Sequence, residues 1–231
     1  MTEPARRAVA EAVGTAFLVA AVIGSGIAAQ RLSPGDAGLQ LLENSLITGA
    51  ALVALILALQ PVSAAFNPVV TLVELALRGL SVRTAALLIA AQVAGGLAGA
   101  IIANLMFDRA AISMASRHRD GGGIWLGELV ATLGLLLVIF GAARSGRNDR
   151  IALAVGGYIS VAYWFTSSTS FANPAVTVAR MFSNSFAGIA PTSVPMFLLM
   201  QLAGAAAGYL LIRALFPTTP AVPALAAEVH R

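Results

Sequence analysis

Long apolar runs separated by short polar stretches make up most of this chain. Six runs are long enough to be read as membrane-spanning helices, because a helix rises about 1.5 Å per residue and the hydrocarbon core of a bilayer is about 30 Å thick. They cover residues 8–29, 39–59, 84–107, 124–143, 151–165 and 194–216, and the fifth is the shortest. The pattern predicts an all-α membrane protein with six spans in a single domain, residues 1–231.

Two further apolar segments are too short to span and begin with nearly the same phrase. The phrases are Phe66-Asn67-Pro68-Val69-Val70-Thr71 and Ala172-Asn173-Pro174-Ala175-Val176-Thr177. Asn is a favoured helix N-cap, and Pro at the next position loses no hydrogen bond there. The segments 68–77 and 174–182 are therefore predicted as helices of about 15 Å each. Two such half-length helices make one span that is broken in the middle.

Other positions repeat between the two halves of the chain. The repeated residues are Glu11, Thr15, Gln92, Gly95 and Gly99 in the first half and Glu128, Thr132, Gln201, Gly204 and Gly208 in the second. Three spans per half is an odd number, so the second half must enter the membrane from the other face. The sequence thus predicts an inverted repeat over about 8–107 and 124–216, with the half-helices meeting near the midplane.

Composition excludes several classes of protein. The chain is 58% hydrophobic and 10% charged, which is unlike a soluble domain or a disordered chain. Without Cys it has no disulfide and no thiolate site. His118 and His230 have no partners for a metal site, and no catalytic constellation is present. We therefore expect no metal, no cofactor and no enzymatic activity.

The positive charges favour one orientation in the membrane over nucleic-acid binding, since single Arg residues lie between apolar runs. With the N-terminus inside, nine Arg fall in inner segments and four in outer loops, which follows the positive-inside rule. The inner ones are Arg6, Arg7, Arg78, Arg83, Arg144, Arg147, Arg150, Arg213 and Arg231; the outer ones are Arg31, Arg109, Arg117 and Arg119. This places both termini in the cytoplasm, although the outer cluster of Arg109, Arg117 and Arg119 weakens the argument.

The paired Asn-Pro motifs, in this order and spacing, resemble those of the major intrinsic protein family, the aquaporins and aquaglyceroporins. The resemblance covers about 11–216 and implies a passive channel for small neutral solutes in the plasma (inner) membrane. It also implies that the Asn67 and Asn173 side chains donate hydrogen bonds to a passing solute. Glu11 and Glu128 would accept hydrogen bonds from the pore-lining loops, with a proton relay as the alternative. Members form homotetramers embedded in lipid, and we expect the same here.

Physical reasoning from the residues supports a pore. Irregular backbone at membrane depth is tolerated only where protein or a water-filled cavity satisfies it. Two positive helix ends that face one point repel cations and orient a file of neutral molecules. If both Asn only capped helices inside a packed protein, the two half-length helices would have no explanation.

At the expected selectivity filter, the sequence departs from the family pattern. Many members have an Arg where this chain has Val176, and Thr48, before Gly49, holds the second-span position. Counting back from Asn173 gives Val161 on the fifth span, with Ala162 and Tyr158 as less favoured occupants, and the loop adds Ser170. A ring of Thr48, Val161, Ser170 and Val176 has no cation and no large aromatic side chain, so it is predicted to be wide and only weakly polar. With Val at this position, the chain resembles a bacterial subgroup of the family that is associated with arsenic handling. This resemblance implies passage of neutral arsenic trihydroxide (arsenite), glycerol and water.

Glu74 and Arg180 each stand seven residues after their motif Asn. Helix geometry turns Arg180 by only about 40° from Val176, one turn farther out. Arg180 either lines the outer mouth, completing the filter of an ordinary water and glycerol facilitator, or bonds carbonyls near the end of its helix, which the helix dipole favours. Glu74 is the equivalent candidate at the inner mouth. Its carboxylate needs an interaction partner, because the helix dipole disfavours a negative charge near a helix C-terminus. A non-conducting scaffold or adhesion protein on the same fold is the alternative of another class.

Overall fold

The helices of the computed structural model follow the predicted order. The structure describes residues 1–217, and these contain eight α-helices and no strand. The helices are α1 (Glu3–Leu32), α2 (Ala37–Leu59), α3 (Pro68–Ala76), α4 (Val82–Met106), α5 (Gly122–Arg144), α6 (Ile151–Phe165), α7 (Pro174–Arg180) and α8 (Val194–Leu215). Five of the described helical segments are long and apolar enough to cross a membrane, and α6 is the short sixth. The predicted fold class is confirmed.

The packing has the same form in both halves. In the first half α1 packs on α2 and α4, and in the second α5 packs on α6 and α8. Each half-helix also reaches the other half, since α3 packs on α8 and α7 packs on α4. The half-helices are thereby enclosed by long helices, which satisfies the broken backbone at membrane depth.

Glycines permit close helix contacts between α1 and α4 and between α5 and α8. A Cβ atom on Gly95 would lie 2.1 Å from the Ala12 carbonyl oxygen, and one on Gly99 would lie 2.2 Å from that of Ala16. A Cβ on Gly204 would lie 2.6 Å from the Leu129 carbonyl oxygen. The repeated small residues therefore face other helices of the same chain.

The N-caps fix where the half-helices begin. The Asn67 side chain accepts a hydrogen bond from the Val69 N–H at 3.1 Å, and the Asn173 side chain accepts from Ala175 at 3.0 Å and from Val176 at 3.2 Å. Pro follows each Asn as the first helical residue. The observed helices end one or two residues before the predicted ends, and neither is long enough to cross a bilayer alone.

The bundle has two faces at which its helices begin and end. The terminal face is the one where α1 begins and α8 ends, and the opposite face is the one where α1 ends. His230 and Arg231, which entered the predictions for metal binding and charge, lie outside the described residues.

Candidate solute pathway

A narrow cavity of about 60 Å³ runs between the helices and past both half-helix N-termini. It extends from Gln60 and Ile151 on the terminal side to Tyr163 and Arg180 toward the opposite face. Its walls are mostly aliphatic, and its polar lining residues are Thr48, Gln60, Asn67, Tyr163, Ser170, Asn173 and Arg180. The described lining includes no carboxylate. A cavity with apolar walls and a few polar groups suits the selective passage of small molecules.

The two half-helices are linked to each other where they meet. The Asn67 side-chain N–H donates to the Ala172 carbonyl at 2.8 Å, and the Asn173 side-chain N–H donates to the Phe66 carbonyl at 2.7 Å. An amide group carries two N–H donors, so this reciprocal bond leaves a second donor on each Asn. Both Asn line the cavity. The geometry therefore places two amide donors beside the solute path.

Backbone strain accompanies this junction. Phe66 has φ +49° and Ala172 has φ +48°, the left-handed region that non-glycine residues rarely adopt. Each such residue costs on the order of 1–3 kcal/mol and persists only where surrounding contacts hold it. The strained residues supply the two carbonyls that the motif Asn side chains bind.

Glu11 holds the loop before α3. Its buried carboxylate accepts from the Ser63 hydroxyl at 2.6 Å, from the Ala65 N–H at 2.9 Å and from the Phe66 N–H at 2.7 Å. The Gln92 amide donates to the same carboxylate at 2.8 Å and to the Thr71 hydroxyl at 2.9 Å. These bonds hold Phe66, one of the two strained residues, in place.

Glu128 makes the equivalent contacts in the second half. It accepts from the Phe171 N–H at 2.8 Å, the Ala172 N–H at 3.0 Å and the Gln201 amide at 2.7 Å. Neither Glu11 nor Glu128 belongs to the described cavity lining. The placement suits the loop-supporting role expected from the sequence better than contact with the solute.

The predicted filter residues are only partly brought together. Thr48, Ser170 and Val176 line the cavity, whereas Val161 is 57% exposed on the outside of the bundle. The prediction that Val161 lines the pore is wrong, and its alternatives, Ala162 and Tyr158, do not line it either. The face of α6 that lines the cavity carries Ile151, Val155, Ile159 and Tyr163 at intervals of four residues. Val161 lies two residues before Tyr163, about 200° around the helix.

Tyr163 is the residue that sequence reasoning missed. Its hydroxyl lies 3.2 Å from the Thr48 hydroxyl, within hydrogen-bond distance. The expectation of a ring without a large aromatic side chain is therefore also wrong. The signal was present in the sequence, because Val155, Ile159 and Tyr163 form a stripe with helical spacing.

Arg180 combines the two roles that the sequence left open. Its Nε donates to the Ala187 carbonyl, and its guanidinium carbon lies 3.3 Å from the centre of the Phe171 ring. Tyr163 lines the same cavity as this guanidinium. Arg180 is only 1% exposed and yet lines the cavity. A positive charge thus lies beside the path, one helical turn beyond Val176.

The other Arg residues near the opposite face are bound to backbone carbonyls. Arg109 donates to Asn184 at 2.8 Å, Arg117 donates to Phe186 at 3.0 Å, and Arg119 donates to Gly188 at 3.0 Å. Burial, together with the charges of Arg180 and Arg117, lowers the pKa of the Arg119 guanidinium. The cluster that weakened the charge-based orientation therefore ties the loop between α4 and α5 to the segment 184–188.

Comparisons with known proteins agree with this geometry. The sequence matches the Major intrinsic protein family over residues 1–166 and again over 144–230. The chain belongs to the major intrinsic protein family. It is 48% identical over 219 residues to an aquaglyceroporin, AqpS, of Rhizobium meliloti (strain 1021), covering 94% of this chain and 93% of that protein. The X-ray structure of the aquaglyceroporin from Plasmodium falciparum matches with a TM-score of 0.68 at 18% identity, covering 91% and 94% of the two chains, and this shows the fold.

As a member of the major intrinsic protein family, the protein is a multi-pass membrane channel for small neutral solutes and not an enzyme. The paired half-helices were predicted from the residues themselves, and the family resemblance added the expectation that the side chains of Asn67 and Asn173 face a solute path.

Glu74 is not part of the solute path in this channel. It is 4% exposed and pairs with Arg7 of α1, whose Nη2 lies 3.9 Å from the Glu74 Oε1. It does not belong to the described cavity lining, so the prediction of Glu74 as a vestibule residue is wrong. The partner that its position requires is Arg7, which lies 67 positions earlier in the sequence.

Proposed function

We propose that this channel conducts arsenic trihydroxide and glycerol passively, with water passing as well. The observation that carries the proposal is Val176, which lines the cavity at the position where an Arg would narrow it. Thr48 and Ser170 add only small hydroxyl groups to the same region. Arsenic trihydroxide is uncharged at neutral pH and presents hydroxyl groups much like those of glycerol.

The motif Asn residues supply the hydrogen bonds for such solutes. Each keeps one amide N–H beyond the bond that links the half-helices, and a hydroxyl oxygen is a suitable acceptor. The aliphatic wall of Leu52, Ile56, Val155 and Ile159 accepts the less polar side of the molecule. The 48% identical relative is an aquaglyceroporin by name, which agrees with a path wider than water requires.

A second candidate is an ordinary water and glycerol facilitator whose filter is completed by Arg180. The position of Arg180 beside the cavity, with Tyr163 and Phe171 next to it, favours this candidate. The two proposals differ in whether arsenite passes. Glycerol and water pass in both.

Stopped-flow light scattering on proteoliposomes tests both proposals. Water and glycerol gradients are compared first, and arsenite entry into the same vesicles is then measured by elemental analysis. Rapid arsenite entry that exceeds empty vesicles supports the first proposal, and glycerol entry without arsenite supports the second. If no solute enters faster than into empty vesicles, the non-conducting scaffold becomes the better explanation.

We also propose that both termini are cytoplasmic, so that the terminal face is the inner one. Support comes from the excess of Arg on that face and from the binding of the outer Arg residues to loop carbonyls. The natural chain has no Cys, so single Cys residues report orientation without background. A membrane-impermeant maleimide applied to intact cells should label Asp120→Cys and not Arg83→Cys. The reverse result would invert the topology.

A homotetramer in the lipid bilayer is proposed from the family. Membrane-spanning helices of the chain expose large apolar side chains, including Leu46 and Ile47 on α2 and Trp164 and Phe165 on α6. Such surfaces need lipid or another subunit as cover. Native mass spectrometry of the purified protein should give four chains per particle, and a monomer that conducts would contradict the proposal.

A further inference from the structure

Arg119, in the loop between α4 and α5, is buried although it lies outside the helices, with only 6% of its surface exposed. Its guanidinium donates from Nε to the Gly188 carbonyl at 3.0 Å and from Nη2 to the Phe186 carbonyl at 3.2 Å. Its Nη1 donates to the Thr169 hydroxyl at 3.2 Å. These acceptors belong to two separate segments, one before α7 and one after it. Arg119 therefore joins the two segments that flank the second half-helix.

Arg180, the cation beside the solute path, is held by the same two segments. Its Nε donates to the Ala187 carbonyl, which lies in the sequence between the two carbonyls that Arg119 binds. Its guanidinium carbon lies 3.3 Å from the centre of the Phe171 ring, and that of Arg119 lies 4.9 Å from the same centre. Both supports of the Arg180 side chain are thus held, directly or through the adjacent residues, by Arg119.

Fastening of the loop alone does not explain why Arg119 is buried here. Arg109 and Arg117 already tie the same loop to the segment after α7 through carbonyl contacts. Burial and the charges of Arg180 and Arg117 lower the pKa of the Arg119 guanidinium, so its placement has a cost. A buried charge persists where hydrogen bonds offset that cost. Of these three loop arginines in the described chain, Arg119 is the one that reaches Phe171.

The segment before α7 needs support because its backbone is strained. Thr169 has φ +62° and Ala172 has φ +48°. Such residues keep a left-handed conformation only where surrounding contacts hold them. Glu128 accepts the Ala172 N–H at one end of the strained segment, and Arg119 binds the Thr169 hydroxyl at the other. Without Arg119, the segment and its Phe171 ring would be free to move relative to α7.

We propose that Arg119 is a positioning residue for the solute path: its forked guanidinium holds the Phe171 ring and the segment after α7, and these hold Arg180 against the wall. Helical side chains lean toward the N-terminus of their helix, so a released Arg180 would point toward Val176. A guanidinium at that level narrows the path and hinders glycerol more than water. The inference rests on the proposed path past Arg180, and it does not depend on whether arsenite passes.

A double-mutant cycle of Arg119→Lys and Arg180→Gln tests this role in proteoliposomes, through the ratio of glycerol flux to water flux. Lys keeps the positive charge, but its single ammonium lacks the planar fork that bonds two segments and stacks on a ring. Arg119→Lys alone should lower the ratio at least about threefold, since residues of one network are coupled by factors of about two to 150. In the Arg180→Gln background, the same replacement should leave the ratio unchanged.

Arg109→Lys is the matched control. Arg109 also ties the loop between α4 and α5 to a carbonyl after α7, that of Asn184 at 2.8 Å. Its replacement removes a fork and keeps the charge, as at Arg119, and should leave the flux ratio unchanged in both backgrounds.

A chemical measurement of charge position does not need conduction. The natural chain has no Cys, so Val176→Cys introduces a single thiol into the path. Iodoacetate and iodoacetamide are similar in size and differ in charge, so the ratio of their alkylation rates, followed by intact mass spectrometry, reports a nearby cation. Arg119→Lys should raise this ratio at least about threefold, because a charge brought closer in a medium of low dielectric acts more strongly. Arg180→Gln should abolish the rise. Phe171→Leu removes the ring between the two side chains and should raise the ratio as well.

Three results would overturn the proposal. Equal effects of Arg119→Lys with and without Arg180→Gln would mean that Arg119 acts on the loop and not through Arg180. Unchanged flux and alkylation ratios in Arg119→Lys and in Phe171→Leu would mean that the fork and the ring position nothing. Equal effects of Arg109→Lys would mean general loosening of the loop. If the natural protein conducts neither solute, the proposed function fails, and the alkylation ratio decides the role of Arg119 separately.

Discussion

Replacing Glu128 by Gln should weaken the loop that carries Ser170 and Ala172. The carboxylate is fully buried and accepts one backbone N–H on each oxygen, from Phe171 and from Ala172. Gln keeps the shape of Glu but offers one oxygen, so its NH₂ group must face one of these donors. At least one buried N–H then loses its partner, which costs about 1–3 kcal/mol.

That cost falls on a strained segment. Ala172 has a positive φ and accepts the bond from Asn67, so loosening it separates the half-helices. An energy of about 1–3 kcal/mol changes the population of the ordered loop by about 5- to 150-fold. The midpoint temperature of thermal unfolding should fall by about 2–4 °C for each kcal/mol of stability lost. Glycerol flux in proteoliposomes should fall with the ordered fraction.

Two matched variants sharpen this experiment. Glu11→Gln should produce a similar loss, because Glu11 accepts the Ala65 and Phe66 N–H groups in the equivalent way. Glu3→Gln changes an exposed carboxylate on α1 and should alter neither stability nor flux. If Glu128→Gln keeps its stability but loses flux that depends on a proton gradient, the loop-supporting role is refuted and the proton relay replaces it.

Further variants test the path and the packing. Val176→Arg should reduce glycerol and arsenite flux more than water flux, measured in the same vesicles; equal loss of all three would mean misfolding or a misplaced filter. Asn173→Asp brings a carboxylate to the path and should raise cation conductance in planar bilayers, and an unchanged cation barrier would argue against Asn173 lining the pore. Tyr163→Phe removes the Thr48 hydrogen bond, worth about 1 kcal/mol, and should alter the ratio of glycerol to water flux; an unchanged ratio would mean that this hydroxyl does not shape the filter. Gly95→Ala forces α1 and α4 apart and should destabilise the protein by at least about 1–3 kcal/mol. The control is Gly157→Ala, whose added methyl group meets no atom within 4 Å and should leave the stability unchanged. Similar stability of the two variants would contradict the close contact between α1 and α4.

The fold was predictable because its main signals are local. Six long apolar runs and two Asn-Pro starts specify which segments are helical and how long they are. The half-helix starts were predicted to the residue, since the Asn caps and Pro fix them. The ends were less certain, because nothing as specific as a cap marks them.

The errors arose where prediction crossed irregular backbone or needed distant partners. The count from Asn173 back to Val161 passed through a loop in which Thr169, Ser170 and Ala172 have positive φ, so residue spacing did not measure position along α6. The pairing of Arg7 with Glu74 joins two helices, and no local pattern indicates it. Helical periodicity within α6 was the better guide, and it points to Tyr163.

The reciprocal bonds at the junction also have a consequence for synthesis of the chain. Asn67 finds its acceptor on Ala172, which the ribosome adds 105 residues later. At about 5–20 residues per second, that interval is on the order of 5–20 s. During this time the first half-helix is already translated but has no bond from its amide to the second half. The Asn67 amide of the newly synthesised first half therefore needs hydrogen-bond acceptors from the insertion machinery or from retained water until the second half has been synthesised.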